Sequence, residues 1–425
     1  MSESRPIRRE APRLAFVDDA RGIAVVLMIL WHTVDGWIRP ALKSGPGFDT
    51  LRVFGGTAAP MFVALAGASA TMKACADHAK GLPAARTTRD QIARGLHVMV
   101  TGYALRVFMW LVDGAAIRHF RLAPAYVPIV LGIGFVLRGL ELVPRSERRA
   151  LPYVGLGAVS YAGGLVLLSG LDPGEVHRLL RVDVLTTIGA SLAIVAGLDA
   201  LVGLSRRPVL GLALGFVVAL GTETMERTMP GALPIPVAAL LSKWGTPLGQ
   251  DISRFPLFPW LGYALVGSAV GGIWFRGAVA GRAMETMLAV LVVGGAVAAL
   301  YNLHVTSSLV AKWSALQKPL FMLHKIGFGL VFTGLVSVVS ELLDRHPFQE
   351  LGKTSMLIYW VHLELAYGMS GKPFVRMLGY GGWAIGFVVL TLLMMWAAHL
   401  RTHPPAMLDG LGRRLMGEAP PRKSA

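Results

Sequence analysis

The sequence predicts an all-α fold, a polytopic transmembrane helical bundle of about twelve spans (10–12) with both termini in the cytoplasm. Three observations predict it. Of 425 residues, 54% are hydrophobic and only 16% are charged, whereas a soluble domain carries about 25% charged residues. Apolar runs of about 20 residues, enough to cross a bilayer core as helix, recur along the whole chain. Lys and Arg gather in the short segments between those runs, as topology signals do.

Taken in order, the runs lie near 16–38, 53–72, 96–117, 124–143, 151–170, 183–203, 209–225, 255–275, 283–303, 320–343, 354–370 and 382–400. The fourth is interrupted by Arg138 and the seventh is short. With the N-terminus inside, the cytoplasmic segments hold 23 Lys and Arg and the opposite side holds 14. That bias orients the chain. It also assigns the net charge of +16 to topology and anionic lipid rather than to nucleic acid. The organisation expected is a polar N-terminal tail (1–13), a single transmembrane domain (14–400) and a basic C-terminal tail (401–425). The N-terminus is too polar, and leads into too long a span, for a cleaved signal peptide. Cys75 is the only cysteine, which excludes an intramolecular disulfide. Glycine pairs such as Gly211/Gly215 and Gly267/Gly271 suit close helix packing in lipid.

Ionisable residues inside a span are costly and usually face a partner or a task. The first span holds the richest set, DDARGIAVVLMILWH at 18–32. His32 is eleven positions after Arg21, about three helical turns and about 16 Å of rise. The two therefore share a face. Asp18 lies one turn before Arg21 and Asp35 one turn after His32, which extends the stripe. A histidine shielded from water suits a general base near neutral pH, and Asp35 has the spacing to orient its ring. An arginine at the membrane surface suits a phosphate. The competing reading is that Arg21 anchors the helix end by snorkelling and His32 bonds a neighbouring helix.

The run LGKTSMLIYWVHLELAYG (351–368) places Tyr359, His362 and Glu364 among apolar residues, with Tyr359 and His362 on one face. A structural hydrogen-bond network is the alternative to direct chemistry there. Asp251 and Arg254 flank the outer end of the eighth span and are candidate acceptor contacts, whereas Trp260 reads as an interface anchor. Arg106 and Asp113, seven apart, are expected to pair with each other. Asp183 stands at a span entrance. Lys325 can snorkel beside His324, and His304 lies in or near an outer loop. There is no GxxxxGK[ST] loop and no HExxH helix, and no GxSxG elbow. With the histidines dispersed, no metal is expected.

The blocks RLAFVDDARGIAVVLMILWH, APMFVALAGASATM (59–72), RVDVLTTIGASL (181–192), FPLFPWLGYALVG (255–267) and LGKTSMLIYWVHLELAYG, in that order, resemble the heparan-alpha-glucosaminide N-acetyltransferase catalytic-domain family (DUF1624). The Arg-x10-His pattern is also similar to the acyltransferase-3 family. The resemblance implies transfer of an acetyl or other acyl group from cytoplasmic acyl-CoA, a co-substrate rather than a bound cofactor. The acceptor would be a hydroxyl or amine of a glycan, lipid-linked or other envelope molecule, and the setting a bacterial inner membrane. It implies His32 as the catalytic histidine and Arg21, with Asp18, at the donor. No histidine occurs from 33 to 77, so His32 is the one candidate in this region. The runs 124–143 and 151–170 resemble an added helix pair. Direct transfer and an acyl-histidine route both stay open. The other function class is a proton-coupled transporter of a small or lipid-linked molecule, which buried ionisable residues also suit.

Overall fold

Each apolar run becomes helix in the computed structural model, which describes residues 15–112, 123–167, 181–228, 235–243, 253–302, 316–342 and 348–404. Among these residues there are no strands, only two isolated bridges. The described residues divide into two compact units, one containing 59–335 and one built from 15–58 with 336–425.

The second unit joins the two ends of the chain. Helix α1 (Ala15–Trp37) and the short α2 (Pro46–Gly55) come from the N-terminal part. In the 59–335 unit, α3 (Ala58–Ala79), α4 (Ala84–Trp110), α5 (Ala123–Leu142), α6 (Glu147–Leu167), α7 (Val184–Val202), α8 (Pro208–Thr228), α9 (Ile235–Leu241), α10 (Leu257–Val279), α11 (Ala283–Asn302) and α12 (Gln317–Leu342) follow. Helices α13 (Phe348–Lys353), α14 (Ser355–Tyr367) and α15 (Tyr380–Thr402) complete the second unit.

Among the described residues, eight segments are long and apolar enough to cross a membrane: Pro46–Ala79, Ala125–Leu142, Glu147–Leu167, Val184–Val202, Pro208–Thr228, Leu257–Val279, Gln317–Ser337 and Tyr380–Thr402. The protein is thus an integral membrane protein by composition and helix length. The other expected spans are helices too, for identifiable reasons of length or polarity. Helix α14 has 13 residues, about 20 Å, short of a bilayer core of about 30 Å. Helix α11 offers only the shorter apolar stretch Ala283–Ala299. Helix α4 opens on Arg86, Arg89, Asp90 and Arg94, and α1 carries the Asp18–Asp35 stripe.

In the 59–335 unit, small residues bring backbones together. A Cβ on Gly267 would overlap the Ala64 backbone, and one on Gly271 the Ala68 backbone, so α10 lies directly on α3. Thr71 Oγ1 and Ser268 Oγ meet there at 2.6 Å. Gly211 and Gly215 of α8 abut the Leu265 and Gly262 carbonyls of α10, where an added Cβ would stand 3.0 Å from either oxygen. Both glycine pairs singled out in the sequence thus sit at helix crossings. Helices α5 and α6 cross likewise at Gly132 and Gly157.

The second unit is held by the same device and by tryptophans. Gly22 of α1 lies against the Phe348 backbone and Gly352 of α13 against the Asp18 backbone, with no room for a side chain at either. At the other end of α1, Trp37 Nε1 donates to the Ala366 carbonyl at 3.1 Å. Trp383 Nε1 donates to Thr33 Oγ1 at 3.1 Å. Backbone bonds from Arg376 to Gly36 (2.9 Å), from Leu378 to Trp37 (2.9 Å) and from Arg39 to Leu378 (3.0 Å) tie the chain after α1 to the chain before α15. Val34, Ile38, Phe48 and Trp383 form the apolar core beneath. These contacts set the register of α1 against α14.

Candidate active site

That register brings His32 of α1 onto His362 of α14. His32 Nδ1 and His362 Nε2 stand 3.0 Å apart, with the rings near-parallel at a centroid distance of 5.1 Å and 14° between planes. His362 is 1% exposed. Its other nitrogen, Nδ1, is 2.6 Å from the Ile358 carbonyl one helical turn earlier. A carbonyl oxygen only accepts, so Nδ1 of His362 carries hydrogen. In the neutral ring the lone pair of His362 is then on Nε2, which must accept from His32 Nδ1–H. The tautomer of His32 follows, with its lone pair on Nε2. The two hydrogen bonds thus fix the tautomers of both rings.

Tyrosines frame the pair. The Tyr367 ring meets His32 edge-on at 5.5 Å. Tyr359 meets His32 at 6.5 Å and His362 at 5.5 Å, also edge-on. These ring edges pack around both imidazoles. The Tyr359–His362 proximity expected from their spacing is therefore present, and α1 supplies the histidine between them.

Asp35 lies one turn beyond His32, but its carboxylate turns to other groups. Tyr367 donates to Asp35 Oδ2 at 3.0 Å. Lys43 Nζ stands 3.7 Å from Asp35 Oδ1 and also donates to the Asp35 backbone carbonyl. Asp35 thus reaches the His32 ring only through Tyr367, the residue they share. The sequence signalled neither Tyr367 nor Lys43, because α14 brings the first and the turn after α1 the second, both from outside the α1 repeat.

At the other end of the stripe, Arg21 Nη1 donates to Asp18 Oδ1 at 2.9 Å, with both side chains partly buried. The pair sits where α13 crosses α1 at Gly22 and Gly352. A guanidinium presents five N–H donors in a planar fork, the geometry that suits an anion.

The remaining candidates divide. Glu364 is in α14, its carboxylate over Gly368, and its Oε2 is buried without a hydrogen-bond partner among the described residues. Arg254 is exposed and belongs to the 59–335 unit. Asp251, like Asp113 and His304, lies outside the described residues. Arg106 stands 3.6 Å from Asp183, which caps α7 by accepting from the Thr186 amide at 3.1 Å.

One cluster went unread in the sequence. Glu350, His399 and His403 bring ligand-type atoms within 4.8 Å of one another. The metal-free expectation rested on dispersed histidines. His399 and His403 are in fact an i,i+4 pair, the spacing that sets two imidazoles on one helical face.

Residues 13–144 match the family model described as Heparan-alpha-glucosaminide N-acetyltransferase, catalytic. The match supports membership of the family that the five sequence blocks resemble and points to a membrane acetyltransferase. It includes Asp18, Arg21, His32 and Asp35 and stops before His362. No curated protein matches the chain.

Proposed function

We propose, on the premise of that family match, that the protein transfers an acetyl or related acyl group from acyl-CoA to a hydroxyl or amine of a glycan or other envelope acceptor, with His32 as general base. The observation that carries the proposal is the His32–His362 pair at 3.0 Å, which assigns the basic lone pair to His32 Nε2.

The reaction runs as follows. The acceptor O–H or N–H gives its proton to His32 Nε2 as its oxygen or nitrogen attacks the thioester carbonyl. The tetrahedral adduct collapses, the C–S bond breaks, and the CoA thiolate leaves. The proton on His32 Nε2 then passes to the thiolate, which restores the neutral base. While His32 is cationic, its Nδ1–H bond to His362 Nε2 becomes charge-assisted and stronger. His362 is a positioning residue that fixes the tautomer and steadies the imidazolium. Asp35 acts one step further out, holding Tyr367 against the His32 ring.

Arg21, about 16 Å along the helix from His32, is the proposed contact for the CoA phosphates, with Asp18 holding its guanidinium. The Lys and Arg bias puts this end of α1 in the cytoplasm, where acyl-CoA is available, and His32 toward the opposite face. A donor lying along the helix would then meet an acceptor arriving from outside. On this reading the protein resides in a bacterial inner membrane, with Tyr359 and Glu364 as candidate acceptor contacts.

The test is incorporation of radiolabelled acetyl-CoA into the glycan and lipid fractions of membranes that contain the protein. Incorporation should vanish with His32→Ala while the protein still accumulates in the membrane. Undiminished incorporation by that variant overturns the assignment.

A further inference from the structure

We propose that Glu350, His399 and His403 form a binding site for a divalent transition-metal ion of the kind imidazole favours, with Zn2+ as its representative. This inference is independent of the acyl-transfer reading and of the His32 site.

The three residues come from two helices. His399 and His403 lie one turn apart at the end of α15, and Glu350 is in α13. His399 Nδ1 is 3.1 Å from Glu350 Oε2, and His403 Nδ1 is 3.4 Å from Glu350 Oε1. The two rings stack at 4.7 Å. Two imidazole nitrogens and a carboxylate on one small patch are the donor set of three-ligand zinc sites, whose fourth position stays with water. Metal–ligand bonds of about 2.0–2.2 Å put tetrahedral ligand atoms a little over 3 Å apart, the spacing of each histidine from Glu350 here. The histidine side chains are 59% and 63% exposed, so an ion can enter without local unfolding. Thr402 Oγ1, 3.0 Å from His403 Nδ1, is the remaining polar neighbour of the set.

The position gives the ion a consequence. Helix α13 also carries Phe348 and Gly352, which lie on the backbone of α1 at Gly22 and Asp18. An ion shared by Glu350 and the two histidines would clip the last turn of α15 to the helix that braces the Arg21 end of α1. Without the ion, the same atoms make polar contacts to one another and to Thr402 that any change of rotamer can break. Occupancy therefore stiffens the second unit at this end.

The experiment uses the full-length, untagged protein in detergent, stripped with chelator, dialysed against Zn2+ and assayed for bound metal. Wild type should retain about one more ion per chain than the His399→Ala/His403→Ala double variant. Glu350→Gln should weaken retention at least about tenfold, as expected when a metal site loses supporting groups. Zn2+ should raise the melting temperature of wild type but not of the double variant, because only the folded site binds it. Co2+ in place of Zn2+ should give the visible absorption of a four-coordinate site in wild type alone. Equal retention by wild type and double variant, or no retention by either, overturns the proposal.

Discussion

Asp183 and His362 are equally buried, each 1% exposed, yet their surroundings use them in opposite ways. In the 59–335 unit, Asp183 accepts from the Thr186 amide at 3.1 Å and the Thr186 hydroxyl at 3.3 Å, with Arg106 at 3.6 Å. Oδ1 takes the Thr186 donors and starts a helix, while Oδ2 faces Arg106 without a hydrogen bond among the described residues. In the second unit, His362 is bonded on one side to its own backbone and on the other to His32, 330 residues away. Those bonds pass a defined tautomer to a second ring rather than ending in a neutralised pair. A buried polar group in a membrane protein thus marks chemistry when its hydrogen bonds leave a lone pair at a set place, and structure when they close on themselves.

Substitutions at His32, His362, Asp183, Tyr367 and Asp35 break or sharpen that contrast. The largest effect belongs to His32→Ala, which should cut acyl transfer by about 10²–10⁴-fold without a comparable loss of folded protein, measured by incorporation per mole of monodisperse protein. His362→Ala comes next, with a loss on the order of 10²-fold, as expected when a base loses the partner that sets its tautomer. His362→Gln, which keeps an acceptor for His32 Nδ1–H, should restore part of the rate. Its pH–rate profile should also differ from wild type, which a merely structural role for His362 would not produce.

Asp183→Ala should do the reverse. Losing the α7 cap and leaving Arg106 without its partner should destabilise by about 1–3 kcal/mol, seen as a lower melting temperature, with transfer per folded molecule unchanged. The smallest effect is expected from Tyr367→Phe. Removing one hydrogen bond of about 1 kcal/mol to Asp35 should slow transfer by roughly fivefold. If Tyr367→Phe or Asp35→Asn were as damaging as His362→Ala, the orienting role would pass from His362 to the Asp35 branch.

The helices were legible because their signal is local. All twelve apolar runs coincide with described helices, and the Gly211/Gly215 and Gly267/Gly271 pairs sit at crossings. The alignment of Asp18, Arg21, His32 and Asp35 was readable from the 3.6-residue repeat, as was the face shared by Tyr359 and His362. The i,i+4 spacing of His399 and His403 was equally local and went unread because the histidines were weighed across the whole chain. The partner of Asp35 was read as His32 from proximity along the helix. In the fold, Tyr367 and Lys43 approach that carboxylate from α14 and from the turn after α1. Arg106 found Asp183 from another helix.

By itself the sequence determined that this is a helical membrane protein with family-like blocks and a basic and acidic stripe on its first helix. Hydropathy and helical period depend on near neighbours, and a bilayer turns them directly into spans. Only the tertiary structure decided that His32 meets His362, that Asp35 answers to Tyr367, and that Glu350 joins the two histidines of α15. The first two meetings depend on how far α1 slides and turns against α14, and the third on where α13 meets the end of α15. That register is set where the backbones touch at Gly22, Gly36 and Gly352, and no periodicity along one helix encodes it.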